Sequence, residues 1–180
     1  MTRINAACLS AAVLTAVVLA MAQPFPALPV WSLFITWACF FHLGGDQDPM
    51  AAFRVTVTHI GLGVVTAWLT ALLLFANPWQ ASGFGQLWGP VVIGLVIGVL
   101  VRLSVIGYFA VTPAIIYGYA SVWAFLSIGE HFNLQVLQSF SLQNVIVAIP
   151  PCVLVGAIMG YINVRMVNLL SKAEHIALEP

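Results

Sequence analysis

Charge is what this chain has least of. Lys and Arg together number 5, Asp and Glu another 5, so 6% of the 180 residues are charged and the formal net charge is zero. Soluble domains carry roughly 25% charged residues. A chain this poor in charge cannot cover itself with a water-compatible surface, which leaves lipid as its solvent. Zero net charge also argues against nucleic acid, which requires a basic face. Cysteine is scarce as well. Cys8, Cys39 and Cys152 each sit inside an apolar run without CxxC spacing, which reads as small buried hydrophobes rather than a disulfide framework or metal site. No HExxH, GxSxG, P-loop or paired intramembrane acids occur. No catalytic residue, metal ligand or cofactor is therefore nominated, and the chain is read as not an enzyme.

What is present is hydrophobicity, at 62% of residues and a mean hydropathy of +1.07, gathered into six apolar runs. The first, about 5–22, follows Arg3 and ends Ala20-Met21-Ala22 before Gln23-Pro24. It fits either a cleaved signal peptide or a retained span; the two-half layout below favours retention. The second runs from Pro29 to about Leu43, and its Trp31, Phe34, Trp37 and Phe41 fall on one helical face. Such a stripe serves helix packing or lines a pore. A turn at Gly44-Gly45-Asp46-Gln47-Asp48-Pro49 leads into the third run, about 50–76, with Arg54, Thr56, Thr58 and His59 in its first half. The uncharged segment 77–89 holds Trp79 and Trp88, which suit the headgroup belt. The fourth run, about 90–105, carries Gly94 and Gly98 in GxxxG spacing and Arg102 near its end, where the side chain can snorkel to the interface. The fifth spans Pro113–Glu130, and 131–141 is mixed enough to lie in the interface. The sixth, about 142–164, carries Gly156 and Gly160, again GxxxG, and both pairs read as close helix packing within the subunit rather than dimerisation faces. Pro150-Pro151 near its middle should kink or break it. From Arg165 on, the chain is charged and reads as a soluble tail.

Two of these runs share a layout. PVWSLFITWACFFHLGGD and PAIIYGYASVWAFLSIGE both open on proline, carry an aromatic apolar run and end glycine–acid, with prolines 84 positions apart. Trp37-Ala38-Cys39-Phe40-Phe41 matches Tyr119-Ala120-Ser121-Val122-Trp123 at an offset of 82, so the register is open by two residues. With three spans per half, the second half enters the membrane from the opposite side. Inverted repeats of this kind characterise many transporters, with the permeation site near the midplane. Charge gives the orientation. With the N-terminus inside, the cytoplasmic segments hold all of Arg3, Arg54, Arg102, Arg165 and Lys172, and the outer connections hold none.

The candidate solute contacts are Thr36 and Trp37 on the second span, Tyr119 and Ser121 on the fifth, and His59 on the third. A buried imidazole in lipid must face a partner, so His59 either packs between helices or lines a path. Asn144 and Asn163 are further neutral hydrogen-bonding groups at membrane depth. His42 and Asp46, four apart, form either a local solvated pair or a proton relay. No acid lies deep in any span, which argues against ion coupling.

The stretches LPVWSLFITWACFFHLGGD and TPAIIYGYASVWAF resemble the two signature spans of a bacterial inner-membrane family, the YcdZ-like proteins (domain of unknown function 1097), over nearly the whole chain. The resemblance implies a small polytopic inner-membrane protein and carries no functional residues over. The expectation is thus an all-α integral membrane protein, six transmembrane helices as two inverted three-helix repeats, in one domain. Repeat 1 covers about 1–76, repeat 2 about 87–168, and the cytoplasmic tail 169–180. The expected function is a channel or facilitator for a small neutral or weakly charged solute, with the path between helices two and five and the protein a homo-oligomer. The alternative is a non-transporting scaffold that binds a partner through its small-residue helix faces.

Overall fold

A computed structural model describes the backbone of residues 1–176 and the side chains of residues 1–171. Seven α-helices, two short 3-10 turns and no strand occur among the described residues: α1 (Arg3–Ala22), α2 (Val30–His42), α3 (Pro49–Phe75), α4 (Trp88–Leu103), α5 (Thr112–Leu126), α6 (Leu134–Gln138) and α7 (Val145–Ile176). Four apolar stretches are long enough to cross a membrane: Arg3–Ala22, Pro49–Phe75, Gly85–Leu103 and Val145–Ser171. The expectation of six spans is met only in part. α2 has 13 residues and α5 has 15, or about 20 and 22 Å at 1.5 Å per residue, against a hydrocarbon core of about 30 Å. Proline at the entry of each, Pro29 and Pro113, and the turns after His42 and Leu126 set those lengths.

Local chemistry places the ends. Thr2 caps α1 by accepting from the Asn5 amide. Asp48 caps α3, its Oδ1 accepting from Met50 N (3.2 Å) and Ala51 N (3.0 Å), with Pro49 in the first turn. α2 ends in a Schellman motif. Gly44 adopts φ +79°, its amide bonds to the Phe41 carbonyl, and Gly45 N bonds to the Phe40 carbonyl. Asn144, a hydrogen-bonding group expected at membrane depth, is buried where it ties α6 to α7. It donates to the Leu137 and Ser139 carbonyls and accepts from Ile146 N.

α7 differs from its expectation at both ends of its length. It continues as helix through Pro150 and Pro151, although those residues leave the Ile146 and Val147 carbonyls without their intrahelical donors. It also extends to Ile176, so the expected soluble tail is helical for most of its length. Val167 is buried there and Met166 packs against the core. Of the tail placed at 169–180, residues 177–180 lie outside the described residues, as do the side chains from Lys172 onward.

The bundle is held by two close crossings. α3 crosses α5 where Gly63 lies on the Ile115 carbonyl and Gly118 lies on the Ile60 carbonyl; a Cβ at either glycine would collide with backbone. α7 crosses α2 where Gly156 lies on the Leu33 carbonyl and the Thr36 Cβ, and where the Phe40 ring lies over Gly160. Phe40 is fully buried between Gly45 and Gly160. α3 and α7 also pack on each other, α1 lies along α7, and α4 lies along α3. Gly94 and Gly98 on α4 have open space where a Cβ would stand, so that GxxxG pair meets no other helix among the described residues. In lipid, small residues let backbones approach and gain dispersion contact where no hydrophobic drive acts.

Gly63→Leu should therefore destabilise the protein by ~1–3 kcal/mol or prevent its folding, since the backbone oxygen it meets cannot move aside. Gly61→Ala, which meets nothing within 4 Å, should be neutral or stabilising by up to about 1 kcal/mol. Thermal unfolding in detergent checks both. Equal melting temperatures for the two variants would contradict the crossing.

Candidate functional site

α1 and α2 both lie against α7, and the seam between them is a groove. It encloses about 710 Å³ and is lined by Arg3, Ala7, Ala11 and Thr15 of α1, Phe34, Trp37, Ala38 and Phe41 of α2, Asp46 of the following turn, and Asn163, Val164, Val167 and Asn168 of α7. The α1 contribution runs from Arg3 to Thr15, about 18 Å of helix, so the groove reaches from one end of the bundle into its middle. Small residues make the room: Ala7 and Ala11 are four apart on α1, and Ala38 stands opposite on α2.

The polar groups are few and placed at different depths. Arg3 and Asp46 stand at the open end, both exposed, and neither makes an ion pair or side-chain hydrogen bond. Deeper, Asn163 is buried and its Nδ2 donates to the buried Ser10 Oγ at 3.0 Å, a bond that ties α1 to α7. Trp37 is 8% exposed and its Nε1 has no hydrogen-bond partner. Phe34 stacks on Trp37 at 6.2 Å and 23°, giving α2 a flat apolar wall. Beyond that wall Leu14, Val18, Leu33, Trp37, Cys152 and Met159 pack together and close the inner end.

A family model described as "Protein of unknown function (DUF1097)" matches residues 8–168. The chain belongs to the DUF1097 family. No curated protein and no solved structure matches it.

In this DUF1097 protein the five solute contacts expected from sequence do not converge. Trp37 alone lines the groove. Thr36 faces the α7 crossing at Gly156, and its hydroxyl donates to its own helix at the Ser32 carbonyl, 2.9 Å away. Tyr119 packs at the α3 crossing beside Gly63, with its hydroxyl buried and unpartnered. Ser121 is buried on α5. His59 sits under the turn before α5, its ring 6.3 Å from Tyr108 and 6.2 Å from Phe109. Its Nδ1 is 2.8 Å from the Val55 carbonyl, while Nε2 has no partner. α2 and α5 do touch, but the space beside their seam is a smaller depression of about 440 Å³ lined by Ile35, Ala38, Cys39, His42 and Tyr117. His42 borders that depression while Asp46 borders the groove, and the two make no bond to each other. No group of three or more metal-ligating side chains occurs among the described residues.

Arg3 and the alanines of α1 are among the groove residues that sequence alone did not nominate, and Asp46 was singled out only as a partner for His42. Ala7 and Ala11 on the same α1 face as Ser10, opposite an intramembrane asparagine, were the available signal. Ala38 is exposed and Ala148 fully buried. In a background with Cys8, Cys39 and Cys152 changed to alanine, Ala38→Cys should react with a hydrophilic thiol reagent and Ala148→Cys should not. Protection of both would mean that the groove excludes water.

Proposed function

We propose that this protein is a non-enzymatic, multi-pass facilitator for a small, net-neutral solute in the bacterial inner membrane. The groove between α1, α2 and α7 is its solute chamber. One observation carries this reading: a groove of ligand size, about 710 Å³, has two charged side chains at one end and an amide and an indole further along its wall. Binding sites for small molecules fall at roughly 300–1,000 Å³, with mostly apolar walls and a few placed polar groups. The chamber flanks α2 on a face that no α5 residue shares, so the path lies beside α2 rather than along the α2–α5 seam. The packed cluster beyond Trp37 is the gate that must part for passage.

The inverted-repeat organisation belongs to the same proposal, as does a single domain built from the two halves. It is supported by the crossings. The carbonyl that receives a glycine from the third helix of its partner half is Leu33 in one half and Ile115 in the other. These are 82 positions apart, which favours that register over 84. α1 lying on α7 and α4 lying on α3 are the corresponding pairs across the same axis. The orientation with both termini in the cytoplasm rests on the arginines and Lys172, and it puts the groove mouth on the cytoplasmic side. Ala38→Cys should accordingly label in inverted vesicles and not in right-side-out ones.

Stopped-flow swelling of proteoliposomes tests transport, against urea, short amides, glycerol, weak acids and small amino acids. At least one solute should enter faster than into empty liposomes, and Ala38→Trp, which fills the chamber, should return that rate to the empty-liposome value. Rates equal to empty liposomes throughout would exclude a facilitator.

A second reading, a scaffold or homo-oligomer, draws on the unfilled α4 face. Gly94 and Gly98 have nothing against them, and Leu95 and Val99 beside them are exposed. If a second copy packs there, Gly94→Cys should form a disulfide-linked dimer in membranes, whereas Leu69→Cys on the exposed face of α3 should not.

A further inference from the structure

Both charged side chains that line the groove are without a partner, and they are of opposite sign. Arg3 stands on the α1 side of the mouth and Asp46 on the turn after α2. The Asp48 carboxylate nearby is already engaged in capping α3. Asp46 bonds no backbone amide, so capping does not account for it. A solute with a single charge would meet one of these groups favourably and the other unfavourably. A fully uncharged solute would use neither. A solute carrying an anionic and a cationic group meets both, and it crosses the mouth with no net charge.

The inner wall defines the rest of that solute. Phe34, Trp37 and Phe41 with Ala7, Ala11 and Ala38 form an apolar surface below the charged pair. That surface takes a hydrocarbon or aromatic group directed inward while the charged groups stay at the wet mouth, in the manner of an amphipathic side chain at an interface.

We infer that the groove binds a small amphipathic zwitterion of the apolar α-amino acid type, with its carboxylate on Arg3, its ammonium on Asp46 and its side chain against the Phe34–Trp37 wall. This rests on the reading of the groove as a solute chamber, and it names the solute class.

The test is binding rather than flux. The full-length protein is placed in nanodiscs of phosphatidylglycerol, which lacks an ammonium group and so keeps zwitterionic lipid out of the groove. Equilibrium dialysis then compares leucine with N-acetylleucine (anion), leucine methyl ester (cation) and N-acetylleucine amide (neutral). Leucine should bind about tenfold more tightly than N-acetylleucine or the methyl ester, the loss expected when one charge-assisted hydrogen bond is removed, and more tightly again than the neutral amide, which lacks both. Arg3→Gln should bring leucine to the level of the methyl ester without weakening the ester itself. Asp46→Asn should bring leucine to the level of N-acetylleucine without weakening that anion. The analogue series on the unmodified protein needs no variant to fold. The inference is overturned if leucine does not bind, if the neutral amide binds as well as leucine, or if either variant weakens all four compounds alike. Charge-selective binding without flux would leave this inference standing and remove the facilitator. Flux of uncharged solutes without such selectivity would do the reverse.

Discussion

The fold depends on two places where helix backbones touch with no side chain between them. Gly63 and Gly118 bring α3 onto α5, and Gly156 brings α7 onto α2. In lipid the apolar surface of a helix gains nothing by leaving solvent, so association has to come from close dispersion contact. Glycine permits that at the crossing, and the rings and β-branched side chains around it fill the remaining space. Phe40, wedged between Gly45 and Gly160, shows the same principle at a turn: one aromatic ring occupies the volume that two missing side chains leave. The other contacts are arranged around those crossings, with α1 added to α7 and α4 to α3.

The groove follows from how α1 is attached. α1 is joined to α7 by the buried Ser10–Asn163 hydrogen bond and by Ala6, Leu14 and Val18, while its alanines leave the side toward α2 unfilled. An intramembrane asparagine is costly unless satisfied, and Ser10 satisfies one of its donors. The polar pair that fixes α1 therefore also forms part of the chamber wall. The charged mouth has a different origin. Arg3 is in the first turn of α1, and Asp46 is in the tight turn that the Gly44–Gly45 motif imposes after α2. Neither position is deep enough for its charge to need burial.

Much of the architecture was legible. Every helix long enough to span was visible as an apolar run, and the 44–49 turn and the break between the last two apolar runs at 131–141 were marked by glycine, proline and mixed polarity. What misled was treating each run as equivalent. α2 and α5 have the composition of spans but only 13 and 15 helical residues, because helix length is decided by where caps and turns fall. The apolar and aromatic nature of a run carries no such information. GxxxG spacing misled in the same way. The spacing is identical at Gly94/Gly98 and Gly156/Gly160, yet one pair meets α2 and the other meets no other helix among the described residues. Thr36 has the right chemistry for a path, but its hydroxyl is used by its own helix and its Cβ by Gly156.

By itself the sequence determined the solvent, the class and most helix positions, because hydrophobicity and turn chemistry are local properties summed along the chain. The matched proline, aromatic and glycine–acid order of two runs is likewise legible in it. Only the tertiary structure decided which small residues form crossings and which leave space, since that depends on what another helix places opposite them. The groove joins Arg3, Trp37, Asp46 and Asn163 from four separate segments. Their proximity is a property of packing, and no spacing along the chain encodes it.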